Sequence, residues 1–230
     1  MELLARPQAL VFDMDGLMLD SERALMGCLE QVAQGHGHVL PRSLLLSLIG
    51  SSDATTRQKL ADVLGFEHTD ALLADSYARY AGIVDAGVPL RPGIIELLEL
   101  LQQHDIPRAV ATATRSPLAQ RKLEAAGLLP YFQFIATSSD VVHSKPAPDI
   151  YLHAARGLGI APEHCLALED SPTGVRAALA AGMTTIQIPD LLEPDDEVRG
   201  YGHHITASLH DVRELLQQWL PASAWPEPHR

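Results

Sequence analysis

The sequence predicts an α/β fold in which a parallel sheet carries helices on both faces and a block of helices follows the first strand. An apolar run near the N-terminus ends abruptly in acidic residues and glycine, as a buried parallel strand does. Residues 20–88 then show only helical patterns. From Pro89 onward, helical and strand-like segments alternate, which is typical of a Rossmann-like parallel sheet.

The first strand is predicted within Gln8–Asp13, which leads into Met14-Asp15-Gly16. Four helical stretches follow, separated by Gly35, Gly50 and Gly65, and they are 22–34, 42–48, 54–64 and 70–84. We expect residues 20–88 to form an inserted, all-helical cap domain. Residues 1–19 and 89–230 would then form the Rossmann-like catalytic core.

The alternating part of the chain is punctuated by turn residues. Pro92-Gly93 opens one helix, and Gly127 and Gly182 end two others. The predicted helices are 92–103, 116–126, 149–157, 172–181 and 209–220, and the predicted strands are 107–112, 134–137, 165–168, 184–188 and 204–206.

Composition narrows the class of protein. Apolar residues make up 47% and charged residues 20% of the 230-residue chain, which is ordinary globular usage. The formal net charge of −12 argues against nucleic acid or an anionic membrane as partner. The N-terminus lacks the pattern of an export signal, and the two cysteines, Cys28 and Cys165, lie far apart. We expect a cytoplasmic monomer.

Acidic and hydroxyl side chains are concentrated where predicted strands end. Asp13 and Asp15 follow the first strand, Thr112 ends the second, and Glu169 and Asp170 end a later one. Open parallel sheets bind ligands beyond these carboxyl ends. Two carboxylates about 4 Å apart repel by about 4 kcal/mol at an effective dielectric of about 20, and a divalent cation removes that penalty. Oxygen ligands without a nearby thiolate or imidazole favour Mg²⁺.

Four motifs follow one another in a fixed order along the chain: Phe12-Asp13-Met14-Asp15-Gly16, Thr112, Lys145-Pro146 and Leu168-Glu169-Asp170-Ser171. Together they resemble the motifs of the haloacid dehalogenase-like hydrolases. The stretches 91–93, 145–149 and 169–174 resemble the subgroup with a small helical cap after strand one, to which β-phosphoglucomutase and pseudouridine-5′-phosphatase belong. The resemblance covers nearly the whole chain.

The resemblance implies a role for each catalytic residue. Asp13 would be the nucleophile that forms an aspartyl-phosphate, and Asp15 would protonate the leaving oxygen and then activate water. Thr112 would donate its hydroxyl to the phosphoryl group, and Lys145 would pair with both the phosphoryl group and Asp13. Gly16 and Ala113 are further expected substrate-binding positions.

The resemblance also implies the metal ligands. Mg²⁺ would be held by the Asp13 side chain, the Asp15 carbonyl and Asp170, with Glu169 alongside. An EF-hand calcium loop is excluded, because its glycine and glutamate positions are occupied by Met18 and Ala24. Taken singly, Thr112 could be a strand-end filler, Lys145 a solvated loop cation and Glu169-Asp170 an acidic helix start.

The cap sequence favours a phosphatase over a mutase. Mutases of this subgroup carry a histidine where this chain has Leu25, and an arginine after Gly-x-Ser where it has Asp53 after Gly50-Ser51-Ser52. We expect hydrolysis of a small phosphate monoester, such as a sugar, nucleotide or pseudonucleotide phosphate. The alternatives are a sugar-phosphate mutase or a catalytically silent member that binds a metal or a partner.

Substrate selection is expected from cap residues that face the core. Arg57 and Arg79, besides Arg23, are the cap cations that would suit a second anionic group on the substrate. Of these, Arg57 is the predicted substrate contact.

Overall fold

The computed structural model describes residues 6–49 and 53–220. Within them, six strands form one parallel sheet; they are β1 (Ala9–Phe12), β2 (Arg108–Thr112), β3 (Phe134–Thr137), β4 (Cys165–Glu169), β5 (Thr184–Gln187) and β6 (His204–Ile205). Their order across the sheet is β3-β2-β1-β4-β5-β6. The predicted α/β, Rossmann-like fold class is confirmed.

Ten α-helices accompany the sheet in the described residues: α1 (Ser21–Gly35), α2 (Arg42–Leu48), α3 (Asp53–Leu64), α4 (Phe66–Ala86), α5 (Ile94–Gln103), α6 (Leu118–Ala125), α7 (Asp149–Leu158), α8 (Pro172–Ala180), α9 (Asp196–Arg199) and α10 (Leu209–Gln217). We call α1 to α4 the helical block, and the strands with α5 to α10 the sheet region. None of these helices has the length and apolar character needed to cross a membrane.

The central strands are buried along their whole length, which explains their uninterrupted apolar runs. Successive residues of β1 face opposite sides of the sheet. Leu10 and Phe12 pack in a cluster that includes residues of α5, α6 and α10, whereas Ala9 and Val11 pack with residues of α7 and α8. Helices therefore cover both faces, as predicted.

The register aligns the strand ends that matter for the site. Phe12, the last residue of β1, lies opposite Val110 of β2 and Leu168 of β4. The residues just beyond these positions, Asp13, Thr112 and Glu169, therefore meet at one edge of the sheet.

The helical block has its own cluster of buried leucines, which includes Leu29, Leu45, Leu60 and Leu72. Two chain segments join it to the sheet region side by side. The Asp20 amide donates to the Pro89 carbonyl at 2.8 Å, and the Arg91 amide donates to the Met18 carbonyl at 2.9 Å. The division into a cap at 20–88 and a core at 1–19 and 89–230 stays a prediction.

Differences from the predicted elements are confined to short turns and helix ends. Helix α4 begins at Phe66 rather than at residue 70, because Gly65, with φ +81°, provides the turn before it. Helix α9 is a single turn capped by the Asp195 side chain, which accepts from the Val198 amide at 2.9 Å. A helix of a single turn is too short to show a helical periodicity in the sequence, so α9 was not predicted.

Candidate active site

Three carboxylates meet where β1 and β4 end. Asp13, Glu169 and Asp170 each place one oxygen within 4.8 Å of the others. Asp13 is 6% exposed and Glu169 is fully buried. These three side chains lie together because β1 and β4 are neighbouring parallel strands that end at the same edge of the sheet.

Lys145 supplies the positive charge at this group. Its Nζ donates to Asp13 Oδ1 at 2.5 Å and to Glu169 Oε1 at 2.6 Å. Burial by itself would lower the pKa of Lys145, but the negative charges of Asp13 and Glu169 outweigh it and raise the pKa above its usual range. Lys145 is therefore a buried cation fixed between two acids, not a solvated loop residue.

Glu169 has its acceptor positions filled by protein donors. Its Oε1 accepts from Lys145 and, at 2.6 Å, from the hydroxyl of Tyr151. Its Oε2 accepts from the amides of Asp170 and Ser171 and from the Ser171 hydroxyl. A Cβ on Gly174 would lie 1.7 Å from Glu169 Oε1, so only glycine leaves room for this carboxylate. Glu169 thus holds Lys145 in position.

The acid group carries more negative charge than Lys145 can balance. Burial raises the pKa of Asp13 to about 8, with Lys145 opposing the rise and Glu169 adding to it. Burial, together with the charges of Asp13 and Glu169, raises the pKa of Asp170 well above its usual range. A bound divalent cation would restore the ionised forms, and an all-oxygen donor set fits Mg²⁺.

Gly16 allows the close approach that completes this group. Its φ is +88°, and a Cβ there would lie 2.2 Å from Asp170 Oδ2. The backbone of the loop after β1 therefore lies directly against the Asp170 carboxylate. Gly16 therefore leaves the space that the Asp170 carboxylate occupies.

Asp15 has a separate set of partners. Lys122 Nζ donates to Asp15 Oδ1 at 2.7 Å, and Thr114 Oγ1 donates to Asp15 Oδ2 at 2.6 Å. Burial would raise the pKa of Asp15, but the charge of Lys122 and the hydrogen bonds from Lys122 and Thr114 outweigh burial and lower it. The donors around Asp15 therefore favour its ionised form.

Lys122 and Thr114 were not predicted as site residues. Lys122 lies on the buried face of α6 with Ala119 and Leu123. A lysine at a buried helical position was the one signal that could have identified it. Thr114 offered no signal beyond its place two residues after Thr112.

Most of the predicted site residues line one cavity of about 210 Å³, whereas Gly16, Glu169 and Arg57 are not among its lining residues. Lining residues include Asp13, Asp15, Thr112, Ala113, Lys145 and Asp170. Thr112 is 1% exposed, and its Oγ1 accepts from the Thr114 amide at 3.0 Å. Glu22, from the first turn of α1, also lines the cavity and was not predicted.

The arginines of the helical block do not join this group. Arg57, the predicted substrate contact, donates from Nε and Nη2 to the Asp70 carboxylate at 2.6 and 2.8 Å and is not among the cavity-lining residues. Arg79 is exposed on α4, and Arg23 donates to Asp20 and Asp190. The structure therefore places Arg57 away from this cavity, with its guanidinium paired to a carboxylate of its own block, and its role as a substrate contact stays a prediction.

Comparisons with known proteins show which chains this sequence resembles. The family model of the haloacid dehalogenase-like hydrolases matches residues 7–182. Hexitol phosphatase A of Escherichia coli (strain K12) is 33% identical over 186 residues, which cover 80% of this chain and 83% of that protein. The Drosophila melanogaster protein named "Probable pseudouridine-5'-phosphatase" is 31% identical over 223 residues, which cover 92% of this chain and 94% of that protein.

A solved structure shows the same fold. The crystal structure of a hydrolase of this family from Deinococcus radiodurans R1, with bound phosphate and sodium, matches with a TM-score of 0.78 and 28% identity. The match covers 93% of this chain and 96% of that chain.

Proposed function

This chain belongs to the haloacid dehalogenase-like hydrolases and is a phosphatase of that family, and we propose that it hydrolyses a small phosphate monoester through an aspartyl-phosphate on Asp13. The observation that carries the proposal is the pairing of two carboxylates with two lysines at one cavity. Asp13 contacts Lys145, and Asp15 contacts Lys122. Named relatives that act on phosphorylated sugars and polyols support a substrate of that size.

In the first step, a carboxylate oxygen of Asp13 attacks phosphorus, and the bond from phosphorus to the leaving oxygen breaks. The leaving oxygen takes its proton from Asp15. Asp15 must be protonated for this, and the negative charge of an incoming phosphate raises its pKa, because like charges disfavour ionisation. Lys145 and Thr112 are placed to contact the phosphoryl oxygens, since both line the cavity beside Asp13.

In the second step, water attacks the phosphorus of the aspartyl-phosphate and gives its proton to Asp15. Phosphate leaves, and the Asp13 carboxylate is restored. One carboxylate thus serves as nucleophile, and the other serves first as acid and then as base.

The residues at the sheet edge suit a magnesium ion. The ion would be held by the Asp13 side chain, the Asp15 carbonyl and Asp170, with Glu169 alongside. It would neutralise charge on the phosphoryl oxygens. The raised pKa values of Asp13 and Asp170 support this assignment, because both reflect negative charge that the protein leaves unbalanced.

Residues 20–88 are proposed to act as a cap over this site, and their side chains favour a phosphatase over a mutase. Leu25 stands where mutases of the subgroup have a histidine, and it lines an apolar cavity, so it offers no proton. The second departure, at Gly50-Ser51-Ser52 and Asp53, lies outside the residues whose side chains are described.

The test is phosphate release from p-nitrophenyl phosphate and a panel of sugar phosphates, with Mg²⁺ and after exhaustive chelation. We expect release that requires Mg²⁺ and is inhibited by Ca²⁺, because the larger ion favours a different coordination of the carboxylates. Full activity after chelation would exclude the metal assignment. Isomerisation without phosphate release would identify a mutase, and no turnover would identify a silent member.

A further inference from the structure

Two further cavities adjoin the one that contains the acids. A cavity of about 150 Å³ lies in the helical block, with walls that include Leu25, Met26, Leu45 and Leu73. Another, of about 230 Å³, has walls that include Pro172, Asp190, Leu191 and Leu192. Glu22 and Ile49 line all three cavities. These two residues therefore stand where the phosphate end of the site meets the space for the rest of the substrate.

The described parts of the cavity walls carry little positive charge. Among the described residues that line them, Lys145 is the one lysine, arginine or histidine, and Asp13 and Glu169 already occupy it. The nearby guanidinium groups of Arg23 and Arg91 both form ion pairs with Asp190 Oδ1, each at 2.6 Å. A second phosphate or carboxylate on the substrate would therefore be desolvated without a cation to pair with.

Glu22 presents a carboxyl group that the described residues leave without a hydrogen bond. Burial raises its pKa to about 7, and the negative charges of Asp15 and Asp190 add to the rise while Lys122 opposes it. In its ionised form this carboxyl repels a second anion, and in either form its oxygens accept a hydrogen bond from a hydroxyl or an ammonium group.

We propose that the substrate is a monophosphate whose leaving group has no second anionic group, donates a hydroxyl or ammonium hydrogen to Glu22 and packs an apolar face against the leucine-lined walls. This inference rests on the proposed function. It predicts that bisphosphates and phosphorylated carboxylic acids are disfavoured, and it makes Glu22 the residue that selects against them.

The experiment compares kcat/KM for glycerol 3-phosphate and 3-phosphoglycerate, which differ by a hydroxymethyl group in place of a carboxylate. Ethanolamine phosphate separates the ammonium donor from the hydroxyl donor, and fructose 1-phosphate is compared with fructose 1,6-bisphosphate. Wild-type protein should prefer the member of each pair without the second anion by about tenfold or more, the range of selectivity that repulsive contacts provide.

Glu22→Gln, which keeps the size of the side chain and removes its charge, should bring each ratio at least threefold closer to one. Glu30→Gln, an exposed acid of the same helix, is the matched control and should leave the ratios unchanged. The wild-type ratios need no variant, so a poorly folded Glu22→Gln protein would not prevent the test.

Acetyl phosphate needs few contacts beyond its phosphate. Its hydrolysis therefore tests the proposed function independently of the inference about the leaving group. If the wild-type protein hydrolyses acetyl phosphate but shows equal or reversed ratios, the inference about the leaving group is wrong and the proposed function stands. If it hydrolyses no phosphate ester and no acetyl phosphate, the proposed function fails and the inference fails with it.

Discussion

The sheet region and the helical block bury different kinds of side chain. At the sheet edge, Glu169 and Lys145 are almost completely buried together and are bonded to each other. In the helical block, the buried cluster consists of apolar residues, and a charged pair such as Arg57–Asp70 lies at the surface. Buried ions need partners of opposite charge and hydrogen bonds, whereas buried leucines need only closely packed apolar neighbours.

This difference suggests a division of labour. The sheet edge holds charged groups at set distances, which is what phosphoryl transfer needs. The helical block supplies walls that can accept different organic groups, with Glu22 as the polar residue at the junction. We therefore expect substitutions in the sheet region to reduce turnover of all substrates, and substitutions in the helical block to change the order of preference among them.

The largest effect is expected from Asp13→Asn. The amide has nearly the size of the carboxylate but is not a competent nucleophile, so turnover should fall by about a thousandfold or more while the fold is kept. The measurement is kcat together with a circular dichroism spectrum. Asp75→Asn, the same change on α4 of the helical block, is the control and should stay within twofold of wild type. Activity of Asp13→Asn within tenfold of wild type would refute the nucleophile assignment.

A glycine substitution tests whether the buried charges depend on tight packing. In Gly174→Ala the new methyl group would collide with the Glu169 carboxylate and displace it from Lys145. We expect kcat to fall by about a hundredfold, which corresponds to about 2.7 kcal/mol of transition-state stabilisation. Thermal unfolding and kcat would both be measured.

Gly27→Ala is the matched control, since a Cβ at Gly27 in α1 meets no atom within 4 Å. It should leave kcat unchanged and stabilise the helix by about 0.5–1 kcal/mol. If Gly174→Ala and Gly27→Ala have the same kcat, the sheet edge tolerates an added methyl group as well as the helical block does.

Lys122→Met tests the support of the second carboxylate. Without Lys122, Asp15 keeps the Thr114 hydrogen bond but loses its buried cation, so its position becomes less defined. We expect kcat/KM for an alkyl phosphate to fall about tenfold, in the range that general acid catalysis contributes. The loss for p-nitrophenyl phosphate should be smaller, because nitrophenolate leaves without a proton. Lys59→Met on α3 serves as control, and equal losses on both substrates would show a merely structural role for Lys122.

The smallest effect is expected from Arg57→Met. Its partner is Asp70 and its side chain is 45% exposed, so removing the charge should leave kcat/KM unchanged for every phosphate in the panel. The midpoint of thermal unfolding should shift only slightly, because exposed ion pairs contribute little. A selective loss of activity on fructose 1,6-bisphosphate would instead support Arg57 as a substrate contact.

Local patterns along the chain were sufficient to predict the sheet and the acids at its edge. The apolar run before Asp13 indicated a buried strand, and alternation after Pro89 indicated parallel strands between helices. Parallel strands place their carboxyl ends at one edge, so Asp13, Thr112 and Asp170 could be grouped without coordinates. The roles assigned to them stay predictions, as do the monomeric state and the cytoplasmic location.

Contacts between distant parts of the chain were decided only by the tertiary structure. Asp15 and Lys122 are 107 positions apart, and no periodicity of either segment indicates that they meet. Arg57 has the positive charge that a substrate contact needs, yet its guanidinium donates to Asp70 on the next helix. Glu22 lies in the first turn of α1, where acidic residues are common, and only the tertiary structure shows that it lines the cavity. Sequence patterns report how a segment buries its own apolar face, whereas the partner of a charge depends on which segments fold against each other.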